Sequence, residues 1–483
     1  MMGSRRAVLG IDLGTSYFKA GLFSPEGDLL GLARAAVKPS VSPDGRCELS
    51  PARFITLVRD AVSEALQHAR LAAPDIAAVS YASQANSFTL LDGDGSPLTP
   101  LILWSDTRVK ALHPLLEQLR ARPDLLSVTG MDSLNPGLAV SKLLRIRESE
   151  PETWRRARAF AGISDYFSRL ATGLPHGDAG TASLLGVWDL SRGRLWTDAL
   201  DALGFPVDFF SGLYPPGTVI GRTAGRAAEL FGLPEGVPFA VGGLDHHMAA
   251  VGSGIGALAA ASESTGTVLA CIRELSRFEP RAGCAMGPGT AGSEAPFYQL
   301  AFSDLGSFFL LEWYRAAHVR GLSFDDLVSE AALVPAGSDG LLCLPDAHLA
   351  PGLSGFRGAG ARNGRGPFAR AILECIGAQT RVLLETLYPD ALPATVLSTG
   401  GGTQSALALQ IKADVCGSRF LVPSCTEAAC MGAGLLAARA AGWFDSLREA
   451  CRSWIRSSHV VEPRPEAVRF YREWREGRAA ALA

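Results

Sequence analysis

Residues 8–23, VLGIDLGTSYFKAGLF, join an apolar run, an acid, a Gly-Thr-Ser turn and a second apolar run. The pattern predicts a β-hairpin with Asp12 at the end of its first strand. Gly14 allows close approach of the backbone to an anion, and Thr15 and Ser16 can donate hydrogen bonds to phosphate oxygens. Asp12 is placed to hold a hydrated Mg²⁺. We therefore interpret the hairpin as a phosphate-binding loop, with an ordinary turn as the alternative.

Two later stretches carry related patterns. ESTGTVLA, residues 263–270, repeats the order of acid, hydroxyl, glycine, hydroxyl and apolar strand. Two such hairpins can hold one polyphosphate from opposite sides. VLSTGGGTQS, residues 396–405, ends a short strand in three glycines before the helical pattern of residues 406–414. Backbone without side chains at this point can admit a flat nucleoside.

The candidate for chemistry is VGGLDHHMAAVG, residues 241–252. Asp245 follows two glycines at a strand end and precedes a helix, so its carboxylate is free to point into an interdomain cleft. There it can accept a proton from a hydroxyl nucleophile during in-line transfer of a γ-phosphoryl group. The alternative is a helix cap. His246 and His247 point in different directions on a helix, and no third ligand is suitably spaced, which favours substrate contact or packing over metal binding.

Composition sets the outer limits. A chain of 483 residues exceeds a single core, so we expect two large domains. The hydrophobic fraction is 47%, the charged fraction is 19% and the net charge is −3, which excludes a basic nucleic-acid-binding class and favours a soluble globular protein. Without a signal-peptide pattern or a run of 18 apolar residues, we expect a cytoplasmic protein with no membrane partner.

The cysteines and the periodicity complete the sequence prediction. Nine cysteines without a Cys-x-x-Cys pair indicate buried thiols, not disulfides or zinc. Helical patterns dominate residues 111–170, and the tail, residues 453–483, is predicted to be a helical cover for the second lobe. The order of elements restarts after a Pro- and Gly-rich stretch, indicating an α/β protein of two lobes, residues 1–244 and 245–483. The first lobe is predicted to open with three strands and a helix, at residues 7–12, 17–23, 28–37 and 51–70.

The motifs together resemble the FGGY family of carbohydrate kinases, and within it the xylulose and other ketose kinases, over about residues 7–445. The resemblance implies the fold shared by actin, sugar kinases and heat-shock ATPases: two RNase H-like lobes closing on ATP and a sugar. The motifs that carry it, in chain order, are Asp12-Leu-Gly-Thr-Ser-x-x-Lys19, Trp104-x-Asp106-x-Arg108, Gly-Gly-x-Asp245, Ser-Thr265-Gly-Thr267, Gly400-Gly-Gly and Glu427-x-x-x-x-Gly432-Ala-Gly.

The resemblance implies roles for individual residues. Asp245 is the expected catalytic base and Asp12 the expected Mg²⁺ contact. The sugar side departs from xylulose kinases at two positions: Asn86 stands where they carry a histidine, and His246 follows the base in place of Asn, Gln or Thr. The expected nucleotide contacts are Gly14, Thr15, Ser16 and Lys19 in the first loop, Thr265, Gly266 and Thr267 in the second, and Gly401, Gly402 and Gln404 at the nucleoside. The expected substrate contacts are Gln84, Asn86, Trp104, Asp106, Arg108 and His246.

For the rim formed by Trp104, Asp106 and Arg108, a core tryptophan beside a structural ion pair is the alternative. The implied function is ATP- and Mg²⁺-dependent phosphorylation of a primary hydroxyl on a ketopentose or ketohexose. A polyol kinase is the main alternative, although residues 83–86 lack the Asn-Gln-Arg-Glu string of glycerol kinases. An actin-like ATPase switch would need a partner-binding segment, and a sugar sensor would not be expected to retain Asp12, Lys19 and Asp245 together. A homodimer remains open.

Overall fold

The computed structural model describes residues 6–266, 268–360 and 363–482, with side chains up to residue 477. In that part of the chain, no helix has the length and apolar character needed to cross a membrane. The strands are β1 Ala7–Leu13, β2 Tyr17–Phe23, β3 Leu29–Ala36, β4 Ser40–Val41, β5 Cys47–Leu49, β6 Ile76–Ser83, β7 Phe88–Leu91, β8 Leu101–Ile102, β9 Ala159–Gly162, β10 His176–Asp178, β11 Trp188–Asp189, β12 Arg194–Leu195, β13 Gly212–Tyr214, β14 Val219–Arg222, β15 Pro238–Ala240, β16 Gly243–Leu244, β17 Ala261–Thr265, β18 Leu269–Leu275, β19 Ala285–Pro288, β20 Phe297–Ser303, β21 Leu342–Cys343, β22 Phe356–Arg357, β23 Thr395–Thr399, β24 Arg419–Pro423 and β25 Ser457–Val461.

The helices lie between these strands. Short 3₁₀ helices occupy Ala73–Asp75, Val207–Phe209, Ser338–Gly340, Ala347–Leu349 and Gly401–Gln404. The α-helices are α1 Pro51–Ala69, α2 Pro114–Arg120, α3 Leu125–Thr129, α4 Ala139–Ser149, α5 Pro151–Arg156, α6 Ile163–Thr172, α7 Ala179–Ala182, α8 Thr197–Leu203, α9 Gly225–Phe231, α10 Asp245–Ser253, α11 Phe309–His318, α12 Phe324–Ala332, α13 Arg365–Leu387, α14 Ala406–Cys416, α15 Ala428–Ala440, α16 Leu447–Trp454 and α17 Pro465–Leu482.

The chain forms two compact units that are discontinuous in sequence. The boundary predicted between residues 244 and 245 stays a prediction about domains, and Asp245 itself lies in the first unit. The first unit consists of Met1–Gly252, Glu274–Gln299 and Glu427–Trp454. The second consists of Ser253–Arg273, Leu300–Thr426 and Ile455–Ala483.

The first unit is built on a mixed sheet with strand order β14-β15-β6-β1-β2-β3, and β16 also pairs with β6. β1 is antiparallel to β2 and parallel to β6, so the first hairpin and the next strand share one sheet as predicted. Helix α1 begins after Ser50, whose side chain accepts a hydrogen bond from the Arg53 amide. Its apolar stripe, which includes Phe54 and Leu57, is buried in the main core.

Helices α10 and α15 cross at two glycines in the first unit. A Cβ atom on Gly252 would lie 1.9 Å from the carbonyl oxygen of Ala428, and one on Gly432 would lie 2.0 Å from that of Met248. Neither position has room for a side chain, so the two helices pack backbone against backbone. This close approach explains the glycine in the motif that begins at Glu427.

A second sheet of the first unit, with order β4-β5-β8-β7-β9, contains a strand that the periodicity missed. Residues 111–170 were predicted to be largely helical, but Ala159–Gly162 form β9 and pair antiparallel with β7. Four residues are too few to establish a period of two, and cross-strand pairing with a distant segment decides their conformation.

The second unit is built on β18-β17-β23-β24-β25, with β23 parallel to both β17 and β24. The tail contributes more than the helical cover that was predicted. Ser457–Val461 add an antiparallel edge strand to β24, and α17 then packs on α14. Buried Tyr471 on α17 anchors the tail, because its hydroxyl exchanges hydrogen bonds with Arg370 and Glu374.

Candidate active site

Three strands of the first unit end at the same edge of its sheet. Asp12 on β1 is in register with Ala82 on β6, and Ala82 is in register with Gly243 on β16. The pairings are parallel, so the residues after each strand gather at one edge, where ligands of such sheets commonly bind. Gln84 and Asp245 therefore follow neighbouring strands at the edge that carries Asp12.

Asp12 is 4% exposed and has two different carboxylate oxygens. Its Oδ2 lies 3.1 Å from Lys19 Nζ, whereas its buried Oδ1 has no hydrogen-bond partner among the described residues. Burial raises the pKa of Asp12 to about 6; Lys19 opposes the shift, and the charges of Asp245 and Glu427 add to it. A buried acceptor without a donor is costly unless a ligand binds it, so Oδ1 is suited to binding a cation.

Lys19 is held by a second carboxylate that sequence reasoning left without a role. Its Nζ lies 3.0 Å from Glu427 Oε2, and the other oxygen of Glu427 pairs with Arg34. Burial alone would raise the pKa of Glu427, but Lys19 and Arg34 hold it below its usual value. Glu427 was visible as the first residue of a motif. Its partners lie about four hundred residues earlier in the chain, so the pairing itself was not predictable.

The turn of the first hairpin presents the predicted hydroxyls to solvent. Thr15 and Ser16 are exposed, and Gly14 before them is partly buried. Thr15 Oγ1 accepts a hydrogen bond of 2.8 Å from Trp104 Nε1. The hydroxyls are thus available to an anion, and one of them is linked to the predicted sugar rim.

Asp245 is the first residue of α10 and is partly buried. Its Oδ1 accepts a hydrogen bond of 2.8 Å from the His246 amide, and its charge contributes to the raised pKa of Asp12. Buried His247 packs on Tyr298 with ring centroids 5.0 Å apart. Burial lowers the pKa of His247 to about 3, so the ring is neutral. The packing interpretation of His247 thereby agrees with its position, while His246 remains partly exposed beside the base.

The two predicted sugar-contacting amides are occupied by backbone groups. Gln84 Nε2 donates to the carbonyl oxygens of Leu13 and Gly14, at 3.2 and 3.1 Å. Asn86 has a positive φ of 59°, which asparagine tolerates better than most residues. Its Oδ1 accepts from the Ala139 amide at 2.9 Å, and its Nδ2 donates to the Leu184 carbonyl at 3.3 Å. The predicted substrate contacts of both residues stay predictions.

The predicted rim divides into an exposed ring and a buried ion pair. The Trp104 side chain is 44% exposed, whereas Asp106 is 1% exposed. Asp106 accepts hydrogen bonds from the Cys47 amide and from the guanidinium of Arg108, and Arg108 also pairs with Glu48. Burial would raise the pKa of Asp106, but these hydrogen bonds hold it below its usual value. The geometry favours the structural ion-pair alternative for Asp106 and Arg108, and leaves the Trp104 ring available for stacking.

Lys142 is a further charged residue at this rim that sequence reasoning did not single out. It is fully buried, and its Nζ donates to the carbonyl oxygens of Leu103 and Trp104, at 2.9 and 3.1 Å. Burial lowers the pKa of Lys142 to about 8, although the charge of Asp106 opposes the shift. The only clue in the sequence was a lysine among apolar residues at the start of α4.

In the second unit, the other predicted nucleotide residues also gather at strand ends. β17 ends at Thr265 and runs parallel to β23, which leads into Gly400–Gln404. Gly400 has φ 85°, and a Cβ there would lie 2.7 Å from the Thr265 carbonyl oxygen, so only glycine fits. Gly266 is partly buried, Gly401 and Gln404 are exposed, and Gly402 is buried. Thr267 lies outside the described residues.

Thr265 rests on a buried ionic cluster within the second unit. Its hydroxyl donates to Glu263 and accepts from Lys412 Nζ at 2.7 Å. Lys412 also contacts Glu263 Oε1 at 2.6 Å, and Ser398 donates to the other oxygen of Glu263 at 2.6 Å. Paired buried charges of this kind fix the position of the groups they contact. The structure therefore brings Thr265, Gly266 and Gly400–Gln404 together at one sheet edge.

Comparison with known proteins agrees with these arrangements. Models of the FGGY family of carbohydrate kinases match this chain, the N-terminal domain over residues 7–252 and the C-terminal domain over residues 306–441. Xylulose kinase from Bacillus subtilis (strain 168) is 27% identical, covering 96% of this chain and 94% of its own. Autoinducer-2 kinase from Escherichia coli (strain SMS-3-5 / SECEC) is 26% identical, covering 98% and 93%. The structure of ligand-bound xylulose kinase from Lactobacillus acidophilus matches with TM-score 0.87 and 21% identity over 99% of both chains.

The predicted α/β fold of two lobes and the predicted sugar-kinase activity are both confirmed by these matches. The N-terminal family model alone spans residues 7–252 of the 483, and the C-terminal model follows it in order. The chain belongs to the FGGY family of carbohydrate kinases.

Proposed function

We propose that this carbohydrate kinase transfers the γ-phosphoryl group of ATP to a primary hydroxyl of a ketopentose or ketohexose, with Asp245 as the general base. The observation that carries the proposal is the common sheet edge of Asp12 and Asp245, where one carboxylate has an unpartnered buried oxygen and the other begins a helix. Phosphoryl transfer needs a positioned hydroxyl, a proton acceptor and groups that bear the developing charge.

The sugar hydroxyl oxygen forms a bond to the γ-phosphorus, and the bond from that phosphorus to the β,γ-bridging oxygen breaks to release ADP. The hydroxyl proton passes to the Asp245 carboxylate, which is partly exposed and can return it to solvent. Thr15 and Ser16 have exposed hydroxyls that can donate to phosphate oxygens. Lys19 would neutralise phosphate charge once it exchanges a carboxylate partner for phosphate.

The residues present fit a hydrated Mg²⁺ at Asp12. Oδ1 is a buried oxygen without a donor, and oxygen ligands are those that Mg²⁺ prefers. Among the described residues, no group of three His, Cys, Asp or Glu side chains could hold a metal. A Mg²⁺ at Asp12 would therefore take its other ligands from water and phosphate, as such ions usually do in kinases. When bound, the ion would neutralise negative charge on the phosphates.

A ketose is the substrate class best supported. The relatives with the highest identity given above are named for xylulose and autoinducer-2 phosphorylation, and both match nearly the whole chain. The amide of Asn86 is tied to backbone groups, so His246 and the Trp104 ring are the predicted rim residues freest to contact sugar. We also propose a cytoplasmic location. A homodimer stays a prediction for the oligomeric state.

Asp245→Asn tests the proposal. The substitution removes the proton acceptor and preserves the size of the side chain. We expect turnover to fall by about 10²-fold or more while Mg²⁺–ADP binding stays within about twofold of wild type. The measurements are a coupled ADP-release assay over ketopentoses, ketohexoses, aldoses and polyols, and calorimetric titration with Mg²⁺–ADP.

Each outcome is decisive. A ketose-dependent signal that is lost in Asp245→Asn supports the proposal and identifies the sugar. A signal with glycerol or another polyol alone would replace the ketose by the polyol alternative. Turnover that survives the substitution would remove Asp245 as the base.

A further inference from the structure

A closed ring of hydrogen bonds in the first unit joins two sets of residues that the sequence assigned to different substrates. Gln84, Ser87 and Trp104 lie on the predicted sugar side, and residues 13–15 form the turn of the predicted phosphate hairpin. Every member belongs to the first unit, the side-chain hydrogen bonds of the ring measure 2.8–3.2 Å, and the backbone of residues 13–15 and Trp104 itself complete it.

Gln84 makes three of the hydrogen bonds in this ring. It is 4% exposed, and its Nε2 donates to two successive hairpin carbonyls, those of Leu13 and Gly14. The amide NH₂ has two hydrogens, so both are consumed by the hairpin. Because these carbonyls immediately precede Thr15, Gln84 fixes the backbone from which the phosphate-facing amides and hydroxyls project.

Ser87 orients the Gln84 amide. Its hydroxyl donates to Gln84 Oε1 at 2.8 Å and accepts from the backbone amide of Trp104 at 2.9 Å. Ser87 is 2% exposed, and its hydrogen bond to Gln84 is buried. The Gln84 oxygen cannot exchange places with its nitrogen without losing the Ser87 donor, which fixes the nitrogen toward the hairpin.

Trp104 closes the ring from the other direction. Its indole Nε1 donates to Thr15 Oγ1 at 2.8 Å, and its carbonyl oxygen accepts from buried Lys142 at 3.1 Å. The Trp104 backbone is therefore held on both sides while its ring is half exposed. A sugar that stacks on this ring would press on a residue bonded directly to the phosphate turn.

We propose that Gln84 is a positioning residue for the phosphate hairpin, and that the ring through Ser87 and Trp104 couples sugar occupancy to nucleotide binding. The inference rests on the proposed function, because it takes the hairpin as the phosphate contact. It replaces the sugar contact predicted for Gln84 with a role exerted through Leu13, Gly14 and Thr15.

Gln84→Met separates the two roles. Methionine has a similar length but cannot donate through its side chain, so the Leu13 carbonyl keeps only the backbone amide of residue 84 at 3.4 Å and the Gly14 carbonyl loses its side-chain donor. We expect the Kd for Mg²⁺–ADP, measured by calorimetry, to rise about tenfold, and the KM for the best ketose of the assay panel to change less than about twofold. A rise in the ketose KM with unchanged ADP binding would overturn the inference and restore Gln84 as a sugar ligand.

Gln299→Met is the matched control. Gln299 is a buried glutamine of the same unit whose Nε2 donates to the Glu279 carbonyl at 3.1 Å. Its substitution removes the same chemical group from the interior without touching the hairpin. We expect weakened stability and unchanged ADP binding. Equal weakening of ADP binding in both variants would show a general structural effect and overturn the positioning role.

Trp104→Phe tests the proposed coupling between sugar and nucleotide binding, because phenylalanine keeps a ring for stacking but lacks the indole N–H that donates to Thr15. For wild type, we expect the ketose to tighten Mg²⁺–ADP binding; in Trp104→Phe this effect should fall to less than about half. A ketose effect that is equally large in the variant would overturn the coupling. The calorimetry does not depend on turnover, so weaker ADP binding by Gln84→Met can be interpreted even if no tested ketose is phosphorylated. Absence of ketose phosphorylation would contradict the proposed function and not the positioning role of Gln84.

Discussion

Lys142 shows how much free energy one buried cation can involve. Its ammonium is removed from water and donates hydrogen bonds to the carbonyl oxygens of Leu103 and Trp104. Burial lowers its pKa from 10.5 to about 8 in the folded protein. A shift of this size corresponds to about 3 kcal/mol between the charged and neutral forms. The cost is tolerated because the ammonium holds the backbone on which the Trp104 ring is mounted.

Lys142 should give the protein a specific pH dependence of stability. Between about pH 8 and pH 10.5 the unfolded chain binds a proton at this lysine that the folded chain does not, so unfolding takes up a proton and stability rises with pH. We expect the unfolding free energy of wild type, relative to Lys142→Met, to increase across this range by about 3 kcal/mol at most. Denaturant titrations at several pH values measure it.

The exposed Lys38 offers the control for that experiment. Lys38→Met removes a lysine without removing a buried charge, and its stability difference from wild type should stay nearly constant with pH. A flat difference for Lys142→Met as well would contradict the buried-cation interpretation.

At the residue scale, the sequence allowed prediction of site residues that lie next to glycines at the ends of strands. Asp12, Thr265 and Asp245 were each found from a local pattern that the structure places at a sheet edge. Glu427 and Lys142 carry similar weight in the site but depend on partners remote in sequence. Local patterns hold no information on such pairs, so Lys142 was missed and Glu427 was recognised only as part of a motif, without a role.

Among the secondary-structure elements, the crossing of α10 and α15 leaves no room for a side chain at either of its glycines. Both helices begin at or just after charged residues of the site, Asp245 and Glu427. Gly432→Ala places a methyl group 2.0 Å from the Met248 carbonyl oxygen, which forces the helices apart. We expect a loss of about 3 kcal/mol in unfolding free energy and a fall in turnover, because the separation displaces both charged residues.

Gly477→Ala is the matched control for the crossing. It is the same substitution within a helix, α17, at a position where no heavy atom lies within 4 Å of the added Cβ. Alanine there should be neutral or stabilise by about 0.5–1 kcal/mol, because it favours the helix. Chemical denaturation of both variants gives the comparison, and equal effects would refute the packing argument.

Elements with a long, regular pattern were predictable, and short ones were not. The hairpin strands and α1 matched their predicted ranges to within about two residues. β9 and β25 were missed because each is formed by pairing with a segment that is distant in sequence. Each is too short to show the alternation of apolar and polar residues that predicts a strand.

For the whole molecule, the cysteines provide a direct test of the fold. All nine lie within the described residues and none is in a disulfide. Eight are buried and Cys425 is partly exposed. We expect a thiol reagent to modify about one cysteine in the native protein and all nine after denaturation without reductant. Fewer than nine in denaturant would reveal a disulfide and contradict the structure.

The two-lobed fold was predictable because related motifs recur in order along the chain. The assignment of each segment to one unit or the other was not predictable. A reader of the sequence places residues 274–299 and 427–454 in the second half, but they pack within the first unit. Helix α15, for example, lies against β1 at Gly10. A Cβ atom added at Gly10 would lie 2.2 Å from the Cys430 carbonyl oxygen. Contacts of this separation are decided by packing across the finished fold.

This interleaving sets the order of events during synthesis on the ribosome. The first unit cannot be completed when its first 252 residues emerge, because α15 and Glu427 are made about 175 residues later. At translation rates of about 5–20 residues per second, the nascent chain spends on the order of ten seconds or more without α15 against β1 and with Lys19 lacking one of its two carboxylate partners. The cell therefore assembles the Asp12 edge of this kinase only near the end of translation, and nascent chains that stall before Glu427 should be recognised by chaperones through the part of the sheet that α15 later covers.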